Sequence, residues 1–181
     1  MTLEDLYRYF EHYDANAYNV ASCQGQEPLE DHVVAFEQTI GFRLPDDFRE
    51  FTKSPLGGLY VEVKEELWPR QTENDAAPFW SFLYGFKVFG IAIDIPPWLD
   101  IRQRYEALRA DGVADLVPLL QRVADPGAYC FDHMGRIIDW TPELPDERAI
   151  VDISFYDLVM DQLRELEERK ARKLELLRSG K

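Results

Sequence analysis

The chain is poor in the residues that carry most protein chemistry. Its 181 residues include two cysteines and three histidines. Cys23 and Cys130 have no C-x-x-C companion, which excludes a disulfide framework and a dithiol redox motif. His12, His32 and His133 lack a second His or Cys at ligand spacing, which excludes the usual structural zinc patterns. No Gly-x-Ser-x-Gly elbow surrounds Ser22. Gly57-Gly58 follows a predicted helix and precedes a predicted strand, the reverse of the order a phosphate loop needs. Positive charge is scarce too: 20 Lys and Arg stand against 34 Asp and Glu, a net −14. Such a body repels nucleic acid and anionic membranes, so neither is expected as a partner. The start, Met1-Thr2-Leu3-Glu4-Asp5, is acidic, unlike a signal peptide, and the apolar run over residues 76–86 is far too short to cross a bilayer. A cytoplasmic protein in a reducing compartment, without cofactor or metal, is the expectation.

Hydrophobic material is plentiful. Apolar residues make up 46%, with 11 Phe, 9 Tyr and 4 Trp, enough for a sizeable core in a single domain. Thr2 and Asp5 form a capping-box pattern ahead of Leu3, Leu6, Tyr7 and Phe10, which predicts a helix to about Tyr13. Residues 14–28 are polar and irregular and read as a surface loop. Leu29, Val33, Phe36 and Ile40 recur on one helical face that ends at Gly41. Pro45 opens a second helix, with Asp46 and Asp47 at its positive end and Phe48 and Phe51 on its buried side. Pro55 stops it, and Gly57-Gly58 turns the chain into a strand over residues 59–63.

Further along, residues 64–78 carry Trp68-Pro69 and a Thr-Glu-Asn-Asp cluster without periodicity, the pattern of a long loop. The aromatic block 79–93 reads as one bent strand or two short ones, because Gly85 and Gly90 interrupt it; Trp80 and Trp140 fall in predicted strands and read as core. Ile101, Tyr105 and Leu108 predict a helix closed by Gly112. Strands follow over 116–123, 128–132 and 136–140, and a closing helix carries the stripe Phe155, Leu158, Val159, Leu163, Leu166.

Several of these pieces, in this order, resemble the SUKH superfamily, the Smi/Knr-type domains best known as bacterial toxin-immunity proteins. The likeness is carried by Leu44-Pro45-Asp46-Asp47-Phe48 with Leu56-Gly57-Gly58, by Gly85-Phe86-Lys87-Val88-Phe89-Gly90-Ile91, by Tyr129-Cys130-Phe131-Asp132 with Gly135-Arg136-Ile137-Ile138-Asp139-Trp140, and by Ile153-Ser154-Phe155-Tyr156-Asp157-Leu158. It spans roughly residues 29–166. The expected architecture is α+β: a single domain with a mostly antiparallel twisted sheet and helices packed mainly on one face. Residues 1–28 would add an N-terminal helix and loop, and 167–181 a charged helical tail. Three fates are open to that tail: fraying, packing on the body, or pairing in a homodimer. The resemblance implies a non-catalytic binding protein that sequesters a toxin; the alternative is a scaffold or regulatory module.

The charge is unevenly spread. Residues 162–181 hold seven Lys or Arg against four Glu, which leaves −17 on residues 1–161. An acidic body attracts a basic protein, such as a nuclease toxin domain, although acidity also serves solubility alone. Trp68 and Trp98 flank prolines and read either as interface anchors or as caps on the core edge. The candidate partner contacts are Glu62, Trp68, Asp94, Trp98 and Asp132.

Overall fold

The fold rests on short alternating strands joined by turns, with helices inserted between them. The computed structural model describes residues 1–70 and 78–179. The Thr-Glu-Asn-Asp cluster, within residues 71–77 of the loop predicted over 64–78, lies outside the described residues. The elements run α1 (Leu3–His12), β1 (Tyr18–Ala21), α2 (Glu30–Ile40), α3 (Asp46–Thr52), β2 (Tyr60–Val63), a 3₁₀ turn (Phe79–Phe82), β3 (Gly85–Val88), α4 (Ile101–Ala110), β4 (Val117–Arg122), β5 (Ala128–Phe131), β6 (Ile137–Trp140), β7 (Ala149–Val151) and α5 (Phe155–Ser179). Among the described residues the seven strands form one sheet in chain order, each antiparallel to the next. This is the α+β class the sequence predicts.

Alternation along the strands assigns the two faces of the sheet. Val61 pairs with Phe86, Val88 with Leu120, and Phe131 with Ile137, and all six point into the main core. Helices α1, α3 and α5 supply its other half through Leu6, Phe48, Phe51, Phe155, Val159 and Leu163. Four phenyl rings meet at its centre: Phe48 lies 5.3 Å edge-on to both Phe131 and Phe155, and Phe51 lies 5.1 Å from Phe155. Beside them, Asp47 ties α3 to α5. Its Oδ2 accepts the Phe155 amide at 3.2 Å, and its carbonyl accepts the Tyr156 hydroxyl at 3.0 Å.

The opposite face is covered unevenly. Leu108 of α4, with Val113 and Leu116, packs on Ala128, Cys130, Ile138 and Trp140 of β5 and β6. Over β2, a loop carrying Ala92, Ile95 and Leu99 closes on Cys23 and Tyr60. That loop is held by close backbone approach: a Cβ at Gly90 would stand 2.5 Å from the Gly58 amide nitrogen. Gly58 itself turns at φ +66°, a conformation that favours glycine.

Several expectations need correction. Residues 14–28 contain β1, whose Tyr18 and Val20 pair with Val63 and Val61; so short a strand among polar residues carries little pattern of its own. The same holds for β7, three residues long. Leu29 precedes α2 and is 66% exposed, so the apolar stripe of that helix begins at Val33. Trp80 stands in the 3₁₀ turn instead of a strand. Of the fates open to the segment beyond Leu166, packing on the body holds for part of it: Lys170 Nζ lies 4.3 Å over the Tyr18 ring, the Arg172 guanidinium 4.3 Å over Trp80, and Lys173 is buried, while Arg172 and Arg178 remain exposed. The chain's end at residues 180–181 lies outside the described residues.

Trp68, a candidate partner contact, belongs to the core. It is fully buried, packs edge-on against Trp80 at 6.3 Å, and donates its indole N–H to the Ser81 carbonyl at 2.9 Å. Pro69 marks a backbone at the surface, but the preceding side chain turns inward beneath the 3₁₀ turn. Trp68→Ala is expected to cost about 3–5 kcal/mol of stability in urea unfolding. Trp68→Phe, which keeps a ring but loses the hydrogen bond, should cost less than Trp68→Ala and leave partner binding unchanged.

Candidate functional site

Strands β1 to β4 leave the back face open between α4 and the loop over β2. The side chains that reach it follow from the pairing register. Asn19 stands opposite Glu62, Tyr60 opposite Lys87, and Lys87 opposite Gln121, so these five form adjoining positions across four strands. The alternation Tyr60-Val61-Glu62-Val63 sends the two polar residues outward as it sends the two valines into the core.

Two hollows open on this face. The first, of about 380 Å³, is lined by Tyr60, Lys87, Trp98, Gln121 and the turn 122–125. Trp98 is half exposed and stands edge-on to Tyr60 at 5.1 Å. Its position is built: Leu99 donates to the Pro96 carbonyl, Gly90 to the Leu99 carbonyl, and Ile91 to the Thr52 hydroxyl. On the far wall, Gln121 Nε2 donates to the Asp125 carbonyl at 2.9 Å, and Ala124 takes φ +63°, the single positive φ of a non-glycine residue among those described. Burial, assisted by the nearby Arg104 charge, pushes the Lys87 amine below the ordinary lysine range.

The second hollow, of about 390 Å³, is lined by Asn19, Glu62, Lys64, Glu65, Glu66 and Arg70. Glu62 accepts from Asn19 Nδ2 at 3.0 Å, the Tyr60 hydroxyl at 2.7 Å and Arg70 Nη2 at 3.1 Å. Arg70 also lies 3.6 Å over the Tyr84 ring, and Lys64 donates to the Ala15 carbonyl. Glu65 and Glu66 are exposed, and neither side chain has a hydrogen-bond or ion-pair partner among the described residues. The Tyr60–Glu62 hydrogen bond joins the hollows. Burial first, and then the Glu62 carboxylate, hold the Tyr60 phenol well above its usual pKa, so Tyr60 remains the donor.

The five predicted contacts therefore separate. Glu62 and Trp98 come together through Tyr60. Asp94 is exposed on the loop that carries Trp98 but lines neither hollow. Trp68 is core, as described above. Asp132 lies elsewhere, in the β5–β6 turn whose Gly135 packs on Pro45, and it is spent on local structure. Its Oδ1 accepts the amides of Met134 and Arg136 at 2.9 Å each, and Oδ2 accepts Arg136 Nε at 2.7 Å. Tyr60, Lys87, Gln121, Glu65 and Glu66 are the residues that sequence reasoning passed over. The signal for two of them is present: Tyr60 alternates with buried valines, and Lys87 interrupts the apolar run Phe86-Lys87-Val88-Phe89.

Cys130 is fully buried in β5, where desolvation pushes its thiol up to about 12, a poor nucleophile. No group of three or more His, Cys, Asp or Glu among the described residues is arranged to hold a metal ion. No helix among them is long and apolar enough to cross a membrane.

The Asp132 turn yields a pH test. Burial alone would raise that carboxyl, but Arg136 and the two amides outweigh it and hold its pKa below the usual aspartate value. A lowered folded pKa stabilises the protein above the unfolded value, near 3.9, and the contribution fades as pH falls through the folded pKa. Asp132→Asn should therefore reduce the melting temperature at pH 7, with the difference from wild type shrinking as the pH drops below about 4.

Set against known proteins, the chain matches no family model and no curated protein, so its likeness to the SUKH superfamily rests on the residues quoted above.

Proposed function

We propose that this chain is a non-catalytic protein-binding domain, an immunity protein of the SUKH type that sequesters and blocks a toxin. A basic nuclease domain is the occupant its charge fits. One observation carries the reading: the body's cations are almost all consumed internally, while its surplus carboxylates face solvent. Arg8, Arg43, Arg49, Lys53, Arg70, Arg102, Arg109, Arg122, Arg136 and Arg148 each pair with an acid of the same chain. What remains outward is negative, and Glu65 and Glu66 present two unpaired carboxylates at the mouth of a polar hollow.

A cationic domain approaching this surface gains Coulomb attraction before contact, which raises its association rate. Glu65 and Glu66 would then occupy the groups that otherwise meet phosphate. Trp98, half exposed at the border of the neighbouring cleft, supplies a large rigid contact area. Blocking would be steric and electrostatic, with no bond made or broken. The alternative, a Smi/Knr-type scaffold that assembles through its tail, is the weaker reading, because Lys170, Arg172 and Lys173 lie against the body.

The test is to co-express the chain with toxin domains encoded beside its own gene, and to score growth. Rescue by one of them is expected, with a complex whose affinity falls as salt rises. Replacing Glu65 and Glu66 together by Gln should slow association about tenfold at low ionic strength and leave the fold intact. Failure to rescue any of them, with no salt-sensitive binding to any basic protein, would overturn the reading.

A further inference from the structure

In a chain with 34 acidic residues, a cation without a partner is the exception. Up to residue 161, every Lys and Arg meets a carboxylate or a carbonyl except two: among the described residues, neither Lys87 Nζ nor the Arg104 guanidinium has a hydrogen bond or an ion pair. Burial first, and then the Arg104 charge, hold the Lys87 amine below the ordinary lysine range. Both are partly buried, and Arg104 Nε is fully shielded from solvent with nothing to donate to. Two like charges brought together in a partly dry place, without an acid between them, destabilise the free protein.

The surroundings indicate what would relieve that cost. Lys87 forms part of the lining of the 380 Å³ cleft, within the size range of small-molecule sites. Tyr60 and Trp98 stand edge-on at 5.1 Å and provide an aromatic wall, while Gln121 and the turn at Ala124 close the other side. The carboxylate that lines the cleft, Asp125, is already engaged by Arg122 Nε at 2.9 Å and the Gly127 amide at 2.9 Å. A left-handed alanine in the turn lining the cleft is itself strained, as residues at ligand sites often are.

We propose that this cleft binds a small anion carried on a planar ring, its carboxylate or phosphate on Lys87 and its ring against Trp98 and Tyr60, the Arg104 charge adding to the attraction. The site is opposite in sign to the acidic hollow beside it. The two readings share Trp98 and differ in the charges they use, Lys87 here and Glu65 with Glu66 there.

Calorimetric titration of the full chain with adenosine 5′-monophosphate, indole-3-acetate and inorganic phosphate tests it and separates the two anion sources. One ring-bearing anion should bind at a single site, at least tenfold more tightly than inorganic phosphate. Lys87→Met should weaken it at least tenfold. Trp98→Ala should bring it down to the level of inorganic phosphate. Without ligand, Lys87→Met should raise the melting temperature, since it removes an unpaired, partly desolvated charge. The proposal is overturned if neither ring-bearing anion saturates the protein by about 10 mM, if either variant binds as wild type does, or if Lys87→Met melts lower than wild type without ligand.

Discussion

The contact among Phe48, Phe51, Phe131 and Phe155 is the constraint on which the remaining structure depends. It brings together a seven-residue helix, a central strand and the start of the last helix, three pieces far apart in sequence. None of them would be stable alone: α3 is too short to persist in water, and a single strand has nothing to pair with. Asp47 fixes the same junction in polar terms. Its carboxylate receives the Phe48 amide of its own helix and the first amide of α5, so aromatic packing and hydrogen bonding fix one geometry. Once Phe131 is held inward, alternation decides the direction of every side chain on β5, and antiparallel pairing transmits that choice to β4, β3 and β2.

That choice divides the molecule between stability and chemistry. The front face buries the valines and phenylalanines of β2 and β3, and the residues between them reach the back. There the cover is partial: α4 protects β5 and β6, the Trp98 loop protects part of β2, and the interval exposes Tyr60, Glu62, Lys87 and Gln121. Charge follows the same division. Arg49, buried between α2 and α3, pairs with both Glu30 and Glu37 and so serves the fold. Glu65, Glu66, Lys87 and Arg104 make no side-chain hydrogen bond or ion pair among the described residues, Lys87 lying 5.3 Å over the Phe89 ring, which is why the functional readings concentrate on them.

Much of the architecture is legible in the sequence because it is written in periodicity and in special backbone residues. The Thr2–Asp5 capping box forms as its spacing implies. Gly41 ends α2 in the left-handed conformation, and the stripe from Phe155 to Leu166 is buried throughout. What escapes a reading along the chain is whatever pairing alone creates. Strand β7 is three residues long and β1 sits among polar residues, so neither announces itself and both exist because a neighbour offers hydrogen bonds. The candidate site was half legible for the same reason. Glu62 and Trp98 stand out as a strand carboxylate and a proline-flanked aromatic, but their meeting through Tyr60 depends on cross-strand register. Trp68 misleads because Pro69 reports on the backbone, whereas the indole answers to the 3₁₀ turn that comes back over it. Asp132 misleads because a carboxylate beside a turn serves equally to build the turn.

The order of the strands has a consequence for biosynthesis. Each strand pairs with its immediate successor, and from β4 to β7 a nascent polypeptide leaving the ribosome can add hairpin upon hairpin across short loops, whereas the three earlier pairings close longer connections that include α2, α3 and α4. The front of the sheet obeys a different timetable. Part of its cover is α5, which follows β7, so the growing product displays wet valine and phenylalanine until Phe155 and the residues after it have been made. A premature stop codon, or a protease cutting ahead of Phe155, would thus yield a sticky open sheet for chaperones to hold, in place of a smaller domain that folds.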